Sequence, residues 1–301
     1  VIGFRRAQAF DYTQPAWNTG NVSGLQKKVG VLLGLKSVQS GPLTQAFENN
    51  GLRELVSDDQ FRIDLDSLGL GVVVDSEAAR SFQEIPADMF AGKSDETLFD
   101  EFAFLKNGSV GEAALGNGIN AGKFRVSNTP DGGRYRLIFS PEGGGEWRHI
   151  ASYPTQDEAI GSANDLRRFF IRLNMESEGL HIVEHTLLRP TGENAPQSDA
   201  TNDFYSFRLS VMFSGWSARF HDESFRRLAE ETVQLNCPAH LYPEFHWLDF
   251  STMSEFENIF SDWLTARAEK ESDSEKCDSA STKLIEFLTR CGEQEQLQPN
   301  G

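Results

Sequence analysis

Three runs, Lys123-Phe124-Arg125-Val126-Ser127-Asn128, Arg134-Tyr135-Arg136-Leu137-Ile138-Phe139-Ser140 and Glu146-Trp147-Arg148-His149-Ile150-Ala151-Ser152-Tyr153, decide the fold class. Each alternates apolar and polar residues, the period of a half-buried strand. Asp131-Gly132-Gly133 and Gly143-Gly144-Gly145 separate them. Glycine reaches positive φ without steric cost, as tight hairpins require. The three runs therefore predict an antiparallel meander. Pro154 closes the last strand, and Thr155-Gln156-Asp157-Glu158 reads as a capping box with Thr155 as N-cap. The helix that follows carries Ala159, Ala163, Leu166, Phe170 and Leu173 at three-and-four spacing, one apolar stripe to lay on the sheet.

Downstream, Leu180–Leu188 is an apolar run between Gly179 and Pro190, and residues 191–203 are a polar loop. The last third predicts strand, helix, strand, helix. Phe204–Phe213 is a strand. Asp222 caps a helix with Phe225, Leu228, Ala229 and Thr232 inward, and Glu244–Phe250 is the second strand. Thr252–Glu255 opens a helix burying Phe256, Ile259, Phe260, Trp263 and Leu264. A βαβα order implies a crossover, hence a small mixed sheet with helices on one face. Upstream, Leu25, Val29, Leu32 and Leu33 have helical spacing, with Gly34 as a stop. Phe61–Leu65 and Val72–Val74 read as a hairpin, and helical pieces fall at 77–84 and 95–106. The fold class is α+β: a meander-plus-helix unit, then a βαβα mixed-sheet unit. In residue ranges this gives a helical or extended arm over 1–56, an α+β domain over 57–190 and a linker over 191–203. A βαβα domain over 204–268 and a charged tail over 269–301, with a final short helix near 281–290, complete the chain.

Composition narrows the function classes. The 301 residues hold 45 acidic against 28 basic side chains, a formal charge of −17, which argues against a nucleic-acid surface built from clustered Lys and Arg. No apolar run approaches the roughly 20 residues that cross a bilayer, so no membrane insertion is expected. Cys237, Cys277 and Cys291 are odd in number and form no CxxC pair, which fits a reducing compartment. Phenylalanine outnumbers the other aromatics, 23 against 5 Trp and 5 Tyr, favouring cores and permanent interfaces over ligand stacking.

The sharpest catalytic candidate is His181-Ile182-Val183-Glu184-His185, which matches the inverted zinc-peptidase signature. On a helix His181 and His185 would clamp Zn²⁺ with Glu184 as general base, a zinc-dependent hydrolase. The β-branched Ile182, Val183 and Thr186 favour a strand instead, with structural histidines and no cofactor. The glycines at 116–122 and 143–145 lack the spacing of a phosphate loop. Ser206–Ser217 with His221-Asp222 has no GxSxG and reads as strand and helix start. Cys237 and His240 in Cys-Pro-Ala-His are a weak nucleophile pair. Trp216, Trp247 and Trp263 read as core residues or interface anchors.

Several phrases taken together carry a resemblance: Asn18–Leu25 running to Leu35, Leu98–Phe102, Glu178–Pro190, Cys237–His240, Trp247-Leu248-Asp249 and Phe256–Leu264. They resemble baseplate proteins of the wedge class from phage-tail-like bacterial contractile injection systems. The resemblance implies a structural, non-enzymatic subunit in a cytoplasmic phage-tail-like particle, packed against neighbouring wedge subunits near tube and sheath. It implies that the His-rich phrase is a fold element and supplies no catalytic residue. Family members are longer, so a chain starting at Val1 reads as the C-terminal part of such a protein. An adaptor or effector-loading module, using the acidic surface and charged tail, is the other alternative.

Overall fold

The computed structural model describes residues 10–18, 20–36, 38, 40–46, 71–73, 116–128, 130, 132–140, 147–190, 204–269 and 274–297. In chain order the elements are α1 (Gly24–Leu32), β1 (Gly71–Val73), β2 (Phe124–Ser127), β3 (Tyr135–Phe139), β4 (Arg148–Tyr153) and α2 (Gln156–Ser177). Then come β5 (Leu180–Glu184), β6 (Arg208–Ser214), α3 (Glu223–Asn236), β7 (Tyr242–Leu248), α4 (Phe250–Ala268) and α5 (Ser274–Leu297). The chain is mixed α+β and divides into two compact units.

One unit contains β1–β4 and α2, with residues 216–221. Its sheet runs β1-β2-β3-β4 with every pair antiparallel. The meander is as expected, with β1 added beside β2. Gly132 and Gly133 take φ of 56° and 79° between β2 and β3, values an L-residue adopts only with strain. The Thr155 hydroxyl accepts from Glu158 N at 3.2 Å, and the anticipated stripe of α2 is buried throughout. It packs with Phe124, Val126, Leu137 and Phe139 as the core of this unit. Arg125 pairs with Ile138 across the sheet and lies 4.7 Å over the Trp147 ring, covering that side. Asn174, fully buried near the end of α2, accepts from Ala218 N at 2.8 Å and donates to the Phe170 carbonyl.

The other unit contains α1, β5–β7 and α3–α5. Its sheet runs β5-β6-β7, antiparallel then parallel, with α3 as the crossover between β6 and β7. The pairing of β5 with β6 moves the division between units to Ser177/Glu178, away from the polar loop at 191–203 that the sequence marked. Two strand boundaries also shift. Phe207 adopts φ 58° just before β6, so the strand starts at Arg208 and not Phe204. Asp249, not Thr252, caps α4 by accepting from Thr252 N at 2.7 Å, so β7 stops at Leu248.

Register places helices on both faces of this sheet, not on one. Phe213 faces Trp247 and Leu180, while His181 faces Met212 on the opposite side. Helix α3 covers the first face, where Trp247 Nε1 donates to Glu230 at 2.9 Å and Arg226 lies 5.0 Å over the Trp247 ring. Helix α4 covers the second, where Phe256 and Phe260 meet the His181 ring.

Two further expectations are corrected. The charged tail is mostly α5, which packs on α4 and buries Cys277, Leu284, Phe287, Leu288 and Cys291. Leu32, on the helical spacing of α1, and Leu228, expected inward on α3, are exposed: α1 buries Gln26, Val29 and Gly30 with Leu33 buried just after it, and α3 buries Ala229 and Val233. The first strand of the expected hairpin, the helices at 77–84 and 95–106, the glycines at 143–145 and Leu98–Phe102 lie outside the described residues.

Candidate functional site

The His-rich phrase enters the fold as strand β5 followed by a 3₁₀ turn, His185–Leu188. A strand sends alternate side chains to opposite faces, so His181 points onto α4. Glu184 is exposed, and His185 begins the turn. His181 and Glu184 thus leave opposite faces of the strand near its edge, and His185 lies beyond its end.

His181 is 4% exposed, and its Nε2 lies 3.0 Å from Glu257 Oε1 on α4, which is equally buried. Glu257 collects three more donors. Oε1 accepts from Leu43 N, and Oε2 accepts from Thr44 N at 3.3 Å and Thr44 Oγ1 at 2.5 Å. The two carboxylate oxygens offer about four lone-pair sites, and four donors fill them. The His181 ring is surrounded by Trp17, Phe256 and Phe260 with centroids 5.4, 5.6 and 6.0 Å away.

The N-terminal segment supplies Leu43, Thr44 and Trp17 to these contacts. Tyr12 meets Trp263 edge-on at 5.7 Å, and the Arg267 guanidinium lies 5.2 Å over the Tyr12 ring while donating to the Leu187 carbonyl at 2.8 Å. Burial, reinforced by Glu184 and opposed by Arg267, holds the Tyr12 phenol well above its ordinary range. Gln26 of α1 donates to the Leu180 carbonyl at 2.6 Å. A Cβ on Gly179 would stand 2.3 Å from Leu43 Cδ2, so glycine is what lets the segment sit this close.

A cavity of about 20 Å³ remains among Phe10, Tyr12, Trp17, His181, Glu184 and Phe260. That is about the room of one water molecule. A substrate cannot reach the His181–Glu257 pair, so the arrangement is a joint fastening residues 10–44 to the sheet.

His185 is bound on both ring nitrogens: Nδ1 donates to the Phe204 carbonyl at 2.9 Å, and Nε2 accepts from Ser210 Oγ at 2.8 Å. Burial pushes its pKa down, against the opposing pull of the Phe204 carbonyl and Glu244. With Nδ1–H given to a carbonyl and the Nε2 lone pair taken by Ser210, the ring keeps no lone pair for a metal. Among the described residues no group of three His, Cys, Asp or Glu side chains is placed to hold a metal ion. The motif's side chains do not converge as ligands: His181 is held by Glu257 and His185 by Ser210, while Glu184 is exposed.

The other candidates fall similarly. None of the three cysteines forms a disulfide. Burial raises the Cys237 pKa, the opposite of an activated nucleophile, and His240 is exposed with its ring against Phe207. Trp263 is 1% exposed and donates to Ser281 Oγ at 3.1 Å, and Trp216 is also buried, so both are core residues and not surface anchors. Trp247 is half-buried, stacked on Phe213 at 4.4 Å. Sequence reasoning missed Glu257. Its signal was a carboxylate on the apolar stripe Met253, Phe256, Phe260 and Leu264 of α4.

Protein-family models give no match to the chain, and curated proteins give none. Among the described residues no helix is long and apolar enough to cross a membrane.

Proposed function

We propose that the chain is a structural subunit of a phage-tail-like contractile injection system. It packs in the baseplate against neighbouring wedge subunits, near tube and sheath. The observation that carries this reading is the use made of the two most specific phrases. In Glu178–Pro190, Gly179 admits Leu43, His181 holds Glu257, His185 holds Ser210, and Arg189 lies 5.5 Å over the Tyr205 ring. In Cys237–Asp249, Trp247 stacks on Phe213, and Asp249 caps α4. Side chains that in an enzyme would be aimed at a substrate are here spent on tertiary joints.

Exposed apolar side chains support the same reading. Leu235 is 85% exposed, and Leu228, seven residues earlier on α3, is exposed with it. Single exposed leucines are ordinary; a helix presenting two at i and i+7 offers a stripe for a neighbour. Charge fits as well, since 45 acidic residues favour partners with basic patches.

Co-sedimentation tests the proposal. The tagged chain should travel with sheath–tube particles, and a Leu228→Ser/Leu235→Ser variant with unchanged stability should travel less. A monomer that never co-sediments would overturn the assignment. So would a stoichiometric bound metal accompanied by hydrolytic activity.

A further inference from the structure

The N-terminal segment holds to its unit in two different ways. From Val22 onward it is tied by burial and by polar bonds to distant parts of the chain. Val22 and Val29 are buried, Gln26 donates to the Leu180 carbonyl, and Leu43 and Thr44 donate to Glu257. Between Phe10 and Asn21, every described hydrogen bond closes within the stretch itself. Asp11 organises it. Its carboxylate accepts from Thr13 N at 3.0 Å, Thr13 Oγ1 at 2.6 Å and Gln14 Nε2 at 3.2 Å. Its backbone N–H donates to Asn21 Oδ1 at 2.8 Å, and its carbonyl accepts from Asn21 Nδ2 at 2.6 Å. Asn18 donates to Gln14 Oε1 at 3.2 Å and accepts on its carbonyl from Asn21 N at 2.8 Å. A loop satisfied by its own Asx-type bonds draws no polar support from the sheet or from α4.

What this loop gives to its surroundings is aromatic. Asp11, Thr13, Gln14 and Pro15 are exposed, while Phe10, Tyr12 and Trp17 are half-buried. Tyr12 meets Trp263 and lies under the Arg267 guanidinium, and Trp17 meets His181 and Phe260 at 5.4 and 5.7 Å. The fit is imperfect in two respects. Trp17 adopts φ 60°, a left-handed conformation that strains a bulky residue and persists only where contacts enforce it. The cavity of about 20 Å³ lies where the loop meets the fold, with Phe10, Tyr12 and Trp17 on one side and His181, Glu184 and Phe260 on the other. Lifting the loop therefore breaks ring contacts and no described hydrogen bond, and it releases the strain at Trp17.

We propose that the cleft formed by His181, Phe260, Trp263 and Arg267 is a docking site for a partner's peptide loop bearing a Tyr and a Trp five residues apart, and that residues 10–21 are its resident, detachable occupant. The seated loop defines the chemistry of the partner. The tyrosine ring takes the guanidinium of Arg267 on its face and Trp263 at its edge, and the indole takes His181 and Phe260. A partner engages only those chains whose own loop has lifted, so the resident loop sets the apparent affinity. The inference does not rest on the baseplate reading, because any segment with this aromatic pair satisfies the cleft.

The test uses the full chain and a fluorescent peptide spanning Ala9–Val22, the resident sequence offered in trans. The Tyr12→Ala/Trp17→Ala double variant vacates the cleft and should lose less than about 10 °C of melting temperature. It should bind the peptide saturably and at least about tenfold more tightly than the parent, whose own loop competes at a high effective concentration. Binding should shift the Trp263 indole and His181 ring signals in NMR spectra of the variant. Peptides carrying Tyr12→Ala or Trp17→Ala should bind at least about tenfold more weakly than the intact one. A vacated variant that binds no peptide would overturn the proposal. So would a parent that binds the peptide as tightly as the variant, or single-substituted peptides that bind as well as the intact one. A double variant that loses more than about 10 °C, or fails to fold, overturns it too, because the loop is then part of the core and no detachable occupant.

Discussion

His181 and Glu257 lie 76 residues apart in the chain and meet at 3.0 Å in the interior, each side chain 4% exposed. The pair joins strand to helix, and through Leu43 and Thr44 it joins both to the N-terminal segment. One carboxylate thus gathers three stretches of chain, beside the Gln26 bond to the Leu180 carbonyl and the Arg267 bond to the Leu187 carbonyl.

Removing the carboxylate should be costly. Glu257→Ala leaves the Thr44 hydroxyl, two backbone N–H groups and the His181 ring buried with no acceptor. Breaking one side of a buried pair costs about 3–5 kcal/mol. Urea denaturation should show a loss of that order, and residues 10–44 should become open to protease before the rest of their unit. A loss under about 1 kcal/mol would mean that water satisfies those donors and that the joint is not the fastening described.

Gly179 and Leu43 make a second, apolar fastening. Gly179→Ala places a Cβ 2.3 Å from Leu43 Cδ2, the movable end of a flexible side chain. Overpacking of this kind costs about 1–3 kcal/mol. Leu43→Ala should relieve most of it, so the double variant should be more stable than the sum of the single losses predicts. Additive losses in the cycle would show that the two positions do not touch.

Legibility followed the range of the interactions. The β2–β4 meander and α2 were readable because their signals are local: alternation, paired glycines at 132–133 and a threonine cap at 155. The βαβα order was readable for the same reason. Three things were not. Placement of α4 on the opposite face from α3 depends on sheet register, which no single segment encodes. The helical spacing of Leu25, Val29, Leu32 and Leu33 does not single out Gln26, because Gln26 is polar and its burial against the Leu180 carbonyl is a tertiary fact. The failure of His181, Glu184 and His185 to converge as ligands depends on where β5 ends and the 3₁₀ turn begins. The five-residue motif carries the same letters either way.

The C-terminal helix makes a stability prediction that separates tail from core. A solvated tail could be deleted without cost. Here Trp263 donates to Ser281 Oγ and Phe256 meets Phe287 at 5.6 Å, with Leu284 and Leu288 buried beside them. Truncation after Glu269 should leave the remaining chain insoluble or molten. The milder Trp263→Ala should cost about 3–5 kcal/mol. A soluble truncated chain with an undiminished unfolding midpoint would return α5 to the status of an appendage.

His185 makes stability depend on pH in a definite direction. Burial holds its folded pKa below the ordinary imidazole value, while the Phe204 carbonyl and Glu244 pull the other way without prevailing. Below the ordinary value the unfolded chain binds the proton more readily than the folded chain, and protonation draws the equilibrium toward unfolding. Stability is therefore intact above about pH 6.5 and declines as the pH falls through the lowered folded value. His149 is shifted the same way, chiefly by burial and then by Arg136, so it contributes its own decline. His185→Asn keeps a side chain able to donate to the Phe204 carbonyl and accept from Ser210, but it cannot titrate. Denaturation midpoints at about pH 7.5 and 5 should fall less in this variant than in the parent, with the remainder assigned to His149 by the matching His149→Asn. If the midpoint of His185→Asn falls as steeply as the parent's, His185 is not held neutral by its surroundings.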